Sequence, residues 1–201
     1  MKPVGIEGAW TREATVFRDS RGSFHEWFQG AEIRAAVGQD LGLQQANCVV
    51  SRKGVVRGIH YTAVPPGQAK YFTCVRGATL GAVVDIRLGS PTFGTCRTVE
   101  LDADNPTALF VSEGLGQAFM ARTDDTVLMY LCSTSFNPRL EHGIHPLDPE
   151  LGIPWPAGIT PELSDRDSTA PSLAEAGRRG LLPSYAECVR YLGYPQDTPS
   201  T

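Results

Sequence analysis

The chain has 201 residues, 41% of them hydrophobic and 20% charged, with a formal net charge of −4. This length suits one domain with a sizeable core, and the composition is that of an ordinary globular protein. The acidic balance argues against a nucleic-acid binder, because that role needs a basic field. An anionic ligand would therefore need a local cluster of arginines, for which Arg21, Arg52 and Arg57 are candidates.

The N-terminal residues lack the apolar core of a signal peptide, and no apolar run approaches the roughly 20 residues of a membrane-spanning helix. The sequence thus predicts a cytoplasmic protein with no membrane partner. The chain has five cysteines, and none lie two or three residues apart as in a zinc site or a redox pair. We expect them to be reduced and packed as small hydrophobic side chains.

The predicted elements begin with an edge strand within residues 4–17 and a turn at 18–22. Residues 30–38 have helix-forming composition, closed by Gly38 as a C-terminal cap. From residue 44 to 133 short apolar runs alternate with Gly, Pro, Asn and Asp, the pattern of an all-β sandwich or barrel. The predicted strands are 45–51, 55–61, 70–76, 80–87, 97–101, 108–111, 116–121 and 126–133. No long amphipathic helix interrupts them, which favours a jelly roll over a parallel α/β sheet.

The rest of the chain is predicted to be loops and short helices. Proline and glycine are frequent after residue 136, and residues 163–167 form a polar stretch among these loops. Capping-box patterns starting at Ser172 and Ser184 predict two helices, and residues from 195 onward are expected to fray. With no repeat or linker, we expect a single domain over 1–201, with a core at about 16–168 and a helical extension at about 170–193.

The chemistry-bearing residues concentrate in residues 55–77, two predicted neighbouring strands joined by a Pro-Pro-Gly turn. His60 and Lys70 each lie on a strand face with apolar or small neighbours. A base and a cation near each other in an apolar barrel are what proton abstraction beside a carbonyl requires. Taken singly, His60 is equally well a hydrogen-bonded core histidine, Lys70 a charge that protects an edge strand, and Tyr130 a core tyrosine.

Nine motifs in order resemble the dTDP-4-dehydrorhamnose 3,5-epimerase (RmlC-like) family and span about residues 16–168. They are Asp19-x-Arg21-Gly22-x-Phe24, Gln45-x-Asn47, Arg57-Gly58-Ile59-His60-Tyr61, Pro66-x-Gln68-x-Lys70, Val83-Val84-Asp85-Ile86-Arg87, Gly89-Ser90-Pro91-Thr92-Phe93-Gly94, Tyr130, Asp148-Pro149-x-Leu151-Gly152-Ile153-x-Trp155-Pro156 and Leu163-Ser164-Asp165-Arg166-Asp167. The resemblance implies a homodimeric, cupin-type jelly-roll barrel that acts on a dTDP-4-keto-6-deoxyhexose without a metal or other cofactor. The sequence itself also argues against a metal site, because His60 is not part of the His-x-His pair of metal-binding cupins.

The resemblance also implies roles for individual residues. His60 corresponds to the base, Asp167 to the carboxylate that orients it, Lys70 to the cation that stabilises the enolate, and Tyr130 to the acid that returns a proton from the opposite face. The positions that resemble substrate-binding residues are Arg21, Phe24, Glu26, Gln45, Asn47, Arg57, Gln117 and Glu141. Arg57 and His60 have opposite parity on a regular strand, so we predict a β-bulge at Gly58 that turns both inward.

Two departures from the family pattern bear on the reaction. Gln117 stands where the family has a second histidine, and Val49 where it has a serine. An amide can donate a hydrogen bond but cannot exchange a proton at neutral pH. We therefore expect a mono-epimerase of the antibiotic-deoxysugar type, acting at C3 in preference to C5, with reaction at both carbons left open. The alternatives are a sugar-nucleotide 3,4-ketoisomerase and a dTDP-sugar-binding homologue without activity.

Overall fold

The computed structural model describes residues 1–192, which form two antiparallel sheets around a shared core, with short helices outside them. The strands are β1 (Lys2–Pro3), β2 (Ala9–Glu13), β3 (Phe17–Asp19), β4 (Gly22–Phe24), β5 (Gln45–Ser51), β6 (Val56–Thr62), β7 (Lys70–Arg76), β8 (Ala78–Val84), β9 (Cys96–Asp102), β10 (Thr107–Val111), β11 (Gly116–Ala121), β12 (Thr126–Cys132) and β13 (Glu141–Gly143). The helices are α1 (Gly30–Val37), α2 (Asp165–Ser168), α3 (Leu173–Arg178) and α4 (Tyr185–Leu192).

The sheets make a jelly-roll barrel, as predicted. The first sheet has six strands in the order β1-β2-β10-β7-β12-β5, and the second has five in the order β13-β6-β11-β8-β9. Between them, Phe72 and Leu128 of the first sheet share one core cluster with Val83 and Phe119 of the second. Burying each such side chain stabilises the fold by about 1.5–3 kcal/mol, so the two sheets are held face to face. β3 and β4 pair only with each other, as a separate hairpin.

Helix α1 lies on the outer face of the first sheet. Its Ile33 is buried in a second cluster with Tyr71 and Phe110, whose side chains point away from the barrel interior. Gly38 ends the helix with a φ of 85°, a left-handed conformation that glycine adopts without steric cost. Both the helix and its cap are where the sequence predicts them.

Most predicted strands are confirmed. The strands predicted at 45–51, 70–76 and 116–121 have the same first and last residues in the structure. The strand predicted at 80–87 is β8, which starts two residues earlier and stops at Val84. It stops there because the chain turns after Val84, where the Asp85 carboxylate accepts a hydrogen bond from the backbone N–H of Arg87 (3.1 Å). The hairpin β3–β4 and the short β13 were not predicted. β6 and β7 follow each other along the chain as predicted, but they belong to opposite sheets.

The C-terminal part is more ordered than the sequence suggests. Residues 163–167, expected as a polar loop, include the start of α2, whose N-cap Ser164 accepts a hydrogen bond from the backbone of Asp167. The capping boxes at Ser172 and Ser184 are confirmed as the starts of α3 and α4. The tail expected to fray from residue 195, and the end of the extension at 193, lie outside the described residues.

A buried ion pair joins three separate parts of the chain. Asp85 and Arg87 are fully buried and form two hydrogen bonds, Nε to Oδ1 (2.9 Å) and Nη2 to Oδ2 (2.8 Å). Arg87 also donates to the carbonyl of Glu7 and lies 5.1 Å from the ring centre of Tyr185 in α4. Burial works against ionisation of Asp85, but Arg87 and two hydroxyl donors hold the pKa of its carboxyl below the ordinary value. The pair therefore links the N-terminal segment, the turn after β8 and the last helix.

No disulfide forms among the cysteines in residues 1–192. The expectation that they pack as small hydrophobic groups is confirmed for Cys74, Cys132 and Cys188, whereas Cys96 is half-buried and Cys48 is exposed. In the described part of the chain, no helix combines the length and apolar character needed to cross a membrane.

Candidate active site

A cavity of about 670 Å³ opens between the two sheets and is bordered by α2. His60 and Gln117 line it from the second sheet, and Lys70 and Tyr130 from the first. Asp167 of α2 completes the set, so the four expected catalytic side chains border one cavity. The volume is in the range of sites that enclose small organic ligands.

A hydrogen bond of 2.7 Å joins His60 Nε2 to Asp167 Oδ1. Asp167 is 4% exposed, and its second carboxylate oxygen accepts a weaker bond from the backbone N–H of Gly58 (3.4 Å). Burial works against the charged form of Asp167, but the bonds from His60, Ser164 and Gly58 hold the pKa of its carboxyl below the ordinary value. The imidazole is thus oriented by an ionised carboxylate.

The predicted bulge in β6 is confirmed. Gln117 opposes His60 and Phe119 opposes Arg57, so β6 has one residue more than β11 over this interval. Gly58 has a φ of +114°, and a Cβ there would lie 2.5 Å from the carbonyl oxygen of Gln117. Only glycine fits this position, and as a result Arg57 and His60 both face the cavity. The Arg57 guanidinium donates to Ser51 Oγ (3.1 Å).

Lys70 is 7% exposed, and within residues 1–192 its ammonium makes no hydrogen bond or ion pair with another side chain. Burial lowers its pKa, and the negative charge of Glu141 partly offsets this effect. An ammonium in a low-dielectric site with no fixed counter-ion is available to a negative charge that appears on a ligand. Lys70 is therefore no edge-strand charge, because β7 lies between β10 and β12 inside its sheet.

Tyr130 lies on the interior strand β12, as predicted, between β5 and β7. Its ring packs against that of Phe72, with centroids 5.2 Å apart and planes inclined by 34°. Burial raises the pKa of the phenol. The hydroxyl has no hydrogen-bond partner within the described residues and faces the cavity with its proton retained.

The cavity is electropositive although the chain is acidic overall. Its lining contains four cationic side chains, Arg52, Arg57, Lys70 and Arg166, and the carboxylates Glu162 and Asp167. Four positive and two negative charges leave an excess of two positive charges, in a chain whose net charge is −4. Arg52 is paired with Glu162 at the cavity edge (2.6 Å). Such a lining favours a ligand that carries about two negative charges.

The structure brings only some of the predicted binding residues to this cavity. Arg57 and Gln117 line it, whereas Gln45 and Asn47 lie along β5 on the same strand face as the cavity residue Val49. These two amides are linked to each other, from Gln45 Nε2 to Asn47 Oδ1 (2.9 Å). They thus continue the wall that Val49 begins.

The remaining predicted binding residues lie outside the cavity lining. Glu141 accepts a hydrogen bond from Thr62 Oγ1 (2.6 Å). Arg21 and Phe24 are on the exposed β3–β4 hairpin, where they border a separate surface groove. The Glu26 carboxylate accepts a hydrogen bond from the side-chain amide of Gln29. Arg21, Phe24 and Glu26 therefore do not line this cavity in a single chain.

The residues of the cavity wall that sequence reasoning missed include Phe72, Glu162 and Arg166. Phe72 follows Lys70 by two positions, so strand parity already placed it on the same face. Arg166 precedes Asp167 within a recognised motif. Glu162 gave no signal, because it reaches the site from a loop that bonds to the backbone of Gly54 and Val56. No group of three His, Cys, Asp or Glu side chains in residues 1–192 is placed to hold a metal ion.

Comparison with known proteins gives a consistent result. The family model for dTDP-4-dehydrorhamnose 3,5-epimerase matches residues 3–175. A dTDP-4-dehydrorhamnose 3,5-epimerase of Streptomyces griseus is 51% identical over 95% of both chains. The crystal structure of ChmJ, a 3'-monoepimerase from Streptomyces bikiniensis in complex with dTDP-quinovose, is similar with a TM-score of 0.94 and 53% identity, over 96% of this chain and 98% of that one. NovW, a 4-keto-6-deoxy sugar epimerase from the novobiocin gene cluster of Streptomyces spheroides, has a TM-score of 0.91 and 52% identity, over 93% and 94%.

Proposed function

The chain belongs to the dTDP-4-dehydrorhamnose 3,5-epimerase family, and on that premise we propose that it epimerises a dTDP-4-keto-6-deoxyhexose by removing and replacing the proton at C3. The reaction is an isomerisation in deoxysugar biosynthesis. One observation carries the proposal: His60 with its carboxylate partner, Lys70 and Tyr130 surround a single cavity.

His60 acts as the base through Nδ1. Asp167 is ionised and only accepts hydrogen bonds, so Nε2 carries the proton in the bond between them. This leaves the lone pair on Nδ1 to take the proton from C3, next to the C4 ketone. The imidazolium that forms is stabilised by the Asp167 charge.

Lys70 and Tyr130 complete the proton transfer. Breaking the C3–H bond moves its electron pair toward the ketone oxygen, and the Lys70 ammonium stabilises the resulting enolate. Tyr130 then gives its hydroxyl proton to C3 and the C4 ketone is restored. Tyr130 comes from the sheet opposite to His60, so the new C–H bond forms on the other face of the sugar and the centre inverts. The tyrosinate takes a proton from solvent, and the His60 imidazolium releases one to solvent. No other reagent is consumed.

The electropositive lining supports a nucleoside diphosphate sugar as the substrate. Its diphosphate carries about two negative charges, matching the excess of positive charge in the cavity. Arg52, Arg57 and Arg166 are the side chains that we assign to it, since a guanidinium can bind two phosphate oxygens at once.

Gln117 supports reaction at a single carbon. It lies opposite His60 in the β6–β11 ladder, and its amide can bind the sugar but cannot supply or remove a proton. The test is incubation with dTDP-4-keto-6-deoxyglucose in heavy water, followed by NMR. We expect deuterium at C3 only, and expect a Gln117→His variant to gain exchange at C5. Similar exchange rates at both carbons in the native protein would overturn single-site action, and tight dTDP binding without any exchange would favour a binding-only homologue.

We also infer a homodimer in which the β3–β4 hairpin of one subunit reaches the cavity of the other. Phe17 and Phe24 on this hairpin are 59% and 64% exposed, and Arg21 lies beside them. Exposed aromatic side chains of this kind are typical of a surface covered by a partner. Sedimentation should give twice the chain mass.

Active-site complementation tests the exchange of hairpins. Neither Arg21→Ala nor Lys70→Met should be active alone. A mixed dimer of the two variants has one intact site, so reassociated mixtures should regain about a quarter of the native activity. A mixture as inactive as its components would show that each cavity uses its own chain only.

A further inference from the structure

The position of the Tyr130 hydroxyl is determined by contacts of its ring. Within residues 1–192 the hydroxyl has no hydrogen-bond partner, so no polar contact fixes the side chain. On β5 its ladder partner is Asn47, a smaller side chain that is already engaged with Gln45 and with Cys132 Sγ. The other ladder partner, on β7, is Phe72.

Phe72 is held firmly enough to act as a reference surface for Tyr130. It is 4% exposed on a central strand and belongs to the core cluster that includes Leu109 and Leu128. It also lines the cavity, two residues after Lys70 on the same strand face. The ring centroids of Phe72 and Tyr130 are 5.2 Å apart. Because the core holds Phe72 in place, this contact also restricts the position of the phenol ring.

We propose that Phe72 is the positioning residue for Tyr130, and that this ring contact places the phenol hydroxyl where it can return a proton to the face opposite His60. The proposal rests on the proposed function, in which Tyr130 is the acid. It gives Phe72 a part in the stereochemical outcome without any chemistry of its own.

The consequence is that abstraction and inversion can be separated. His60 removes the C3 proton without help from Tyr130, and the imidazolium then exchanges that proton with solvent. If the phenol is displaced, the enolate receives a deuteron back from His60 on the original face. The C–H bond is broken and re-formed as C–D, the centre keeps its configuration, and the substrate shows exchange without epimerisation.

The experiment measures both rates in heavy water by NMR, for the native protein and for Phe72→Leu, Phe72→Met and Tyr130→Phe. Phe72→Met keeps most of the volume while removing the ring plane, so it serves if Phe72→Leu does not fold. Phe110→Leu is the matched control, since Phe110 is 2% exposed in the same sheet but belongs to the outer cluster. A displacement of about 1 Å can cost about 100-fold in rate.

We expect both Phe72 variants to keep C3 exchange within about threefold of the native rate while inversion falls at least about tenfold, since the base is untouched and the acid is displaced. Phe110→Leu should change the two rates in the same proportion. The proposal is overturned if the Phe72 variants lose exchange and inversion equally, or lose neither. Native inversion by Tyr130→Phe would instead refute the role of Tyr130 as the acid, whereas a native protein that neither exchanges nor inverts C3 would refute the proposed function.

Discussion

Replacing Asp167 by asparagine tests the base directly, because it removes the charge and keeps the shape. The side chains of His60 and Asp167 are 26% and 6% exposed, so solvent screens the pair weakly. A hydrogen bond to a charged group contributes about 1.5–3 kcal/mol. This stabilisation is gained mainly when the imidazolium forms, so the variant loses it in the transition state. At about 1.4 kcal/mol per tenfold in rate, losing the charged hydrogen bond lowers kcat by about 10- to 150-fold.

An additional loss follows if the new amide turns its NH₂ group toward His60. It would then donate to Nε2 and move the proton to Nδ1, the nitrogen that must be free. In a serine protease, a change of this kind lowers kcat by about 10⁴-fold. The expected range for Asp167→Asn is thus from about 10-fold, from charge alone, to about 10⁴-fold.

The assay is the rate of C3 deuterium exchange, which reports abstraction without depending on inversion. Asp165→Asn is the control, because Asp165 is exposed on the same short helix and lies two residues away. Binding of dTDP, followed by calorimetry, should stay at the native level in both variants. A kcat for Asp167→Asn within about twofold of native would mean that the 2.7 Å bond does not serve the base.

The remaining predictions concern the cation, the bulge and the buried pair. Lys70→Met should lower kcat by about 10²- to 10³-fold with unchanged dTDP affinity; an effect on affinity alone would contradict its role at the enolate. Gly58→Ala should destabilise the protein by about 2–5 kcal/mol in urea denaturation, from backbone strain plus a clash with β11. Gly158→Ala, also at positive φ but in open space, should cost only about 1–2 kcal/mol, and equal losses would mean that the clash is relieved. Asp85→Asn should cost about 3–5 kcal/mol at neutral pH by leaving Arg87 buried without its counter-ion. Because the folded pKa of Asp85 is depressed, its contribution is complete above the unfolded pKa of about 4 and is lost as pH falls through the folded value. The variant should accordingly show a flatter decline of stability below about pH 4, and an unchanged slope would count against this assignment.

The local elements were predictable because their signals are local. Short apolar runs broken by turn residues gave most strands of the two large sheets, and Gly38 gave the end of α1. Even the bulge followed from a parity argument, since Arg57 and His60 can share a wall only with an extra residue between them. These features depend on residues close in sequence, which a single chain displays.

Pairing between distant segments was harder to predict. The Pro-Pro-Gly turn at 65–67 predicted a loop between β6 and β7, but not that this loop carries the chain across to the other sheet. β3 and β4 are exposed along their whole length, so no alternation of apolar residues marks them. Helix α2 has four residues, too few for a helical period, and Asp167 was found only through the family motif that contains it.

The groups of the proposed active site are divided between the two halves of the barrel. His60 and Gln117 belong to one sheet, Lys70 and Tyr130 to the other. The gap that a sugar ring must span is therefore set by the thickness of the hydrophobic interior, most of whose side chains lie outside the cavity lining. A close-packed interior shifts its packing when a side chain changes by one methylene. Mutant libraries designed to redirect the reaction to another carbon should therefore vary the core residues between the sheets as well as the residues that line the cavity.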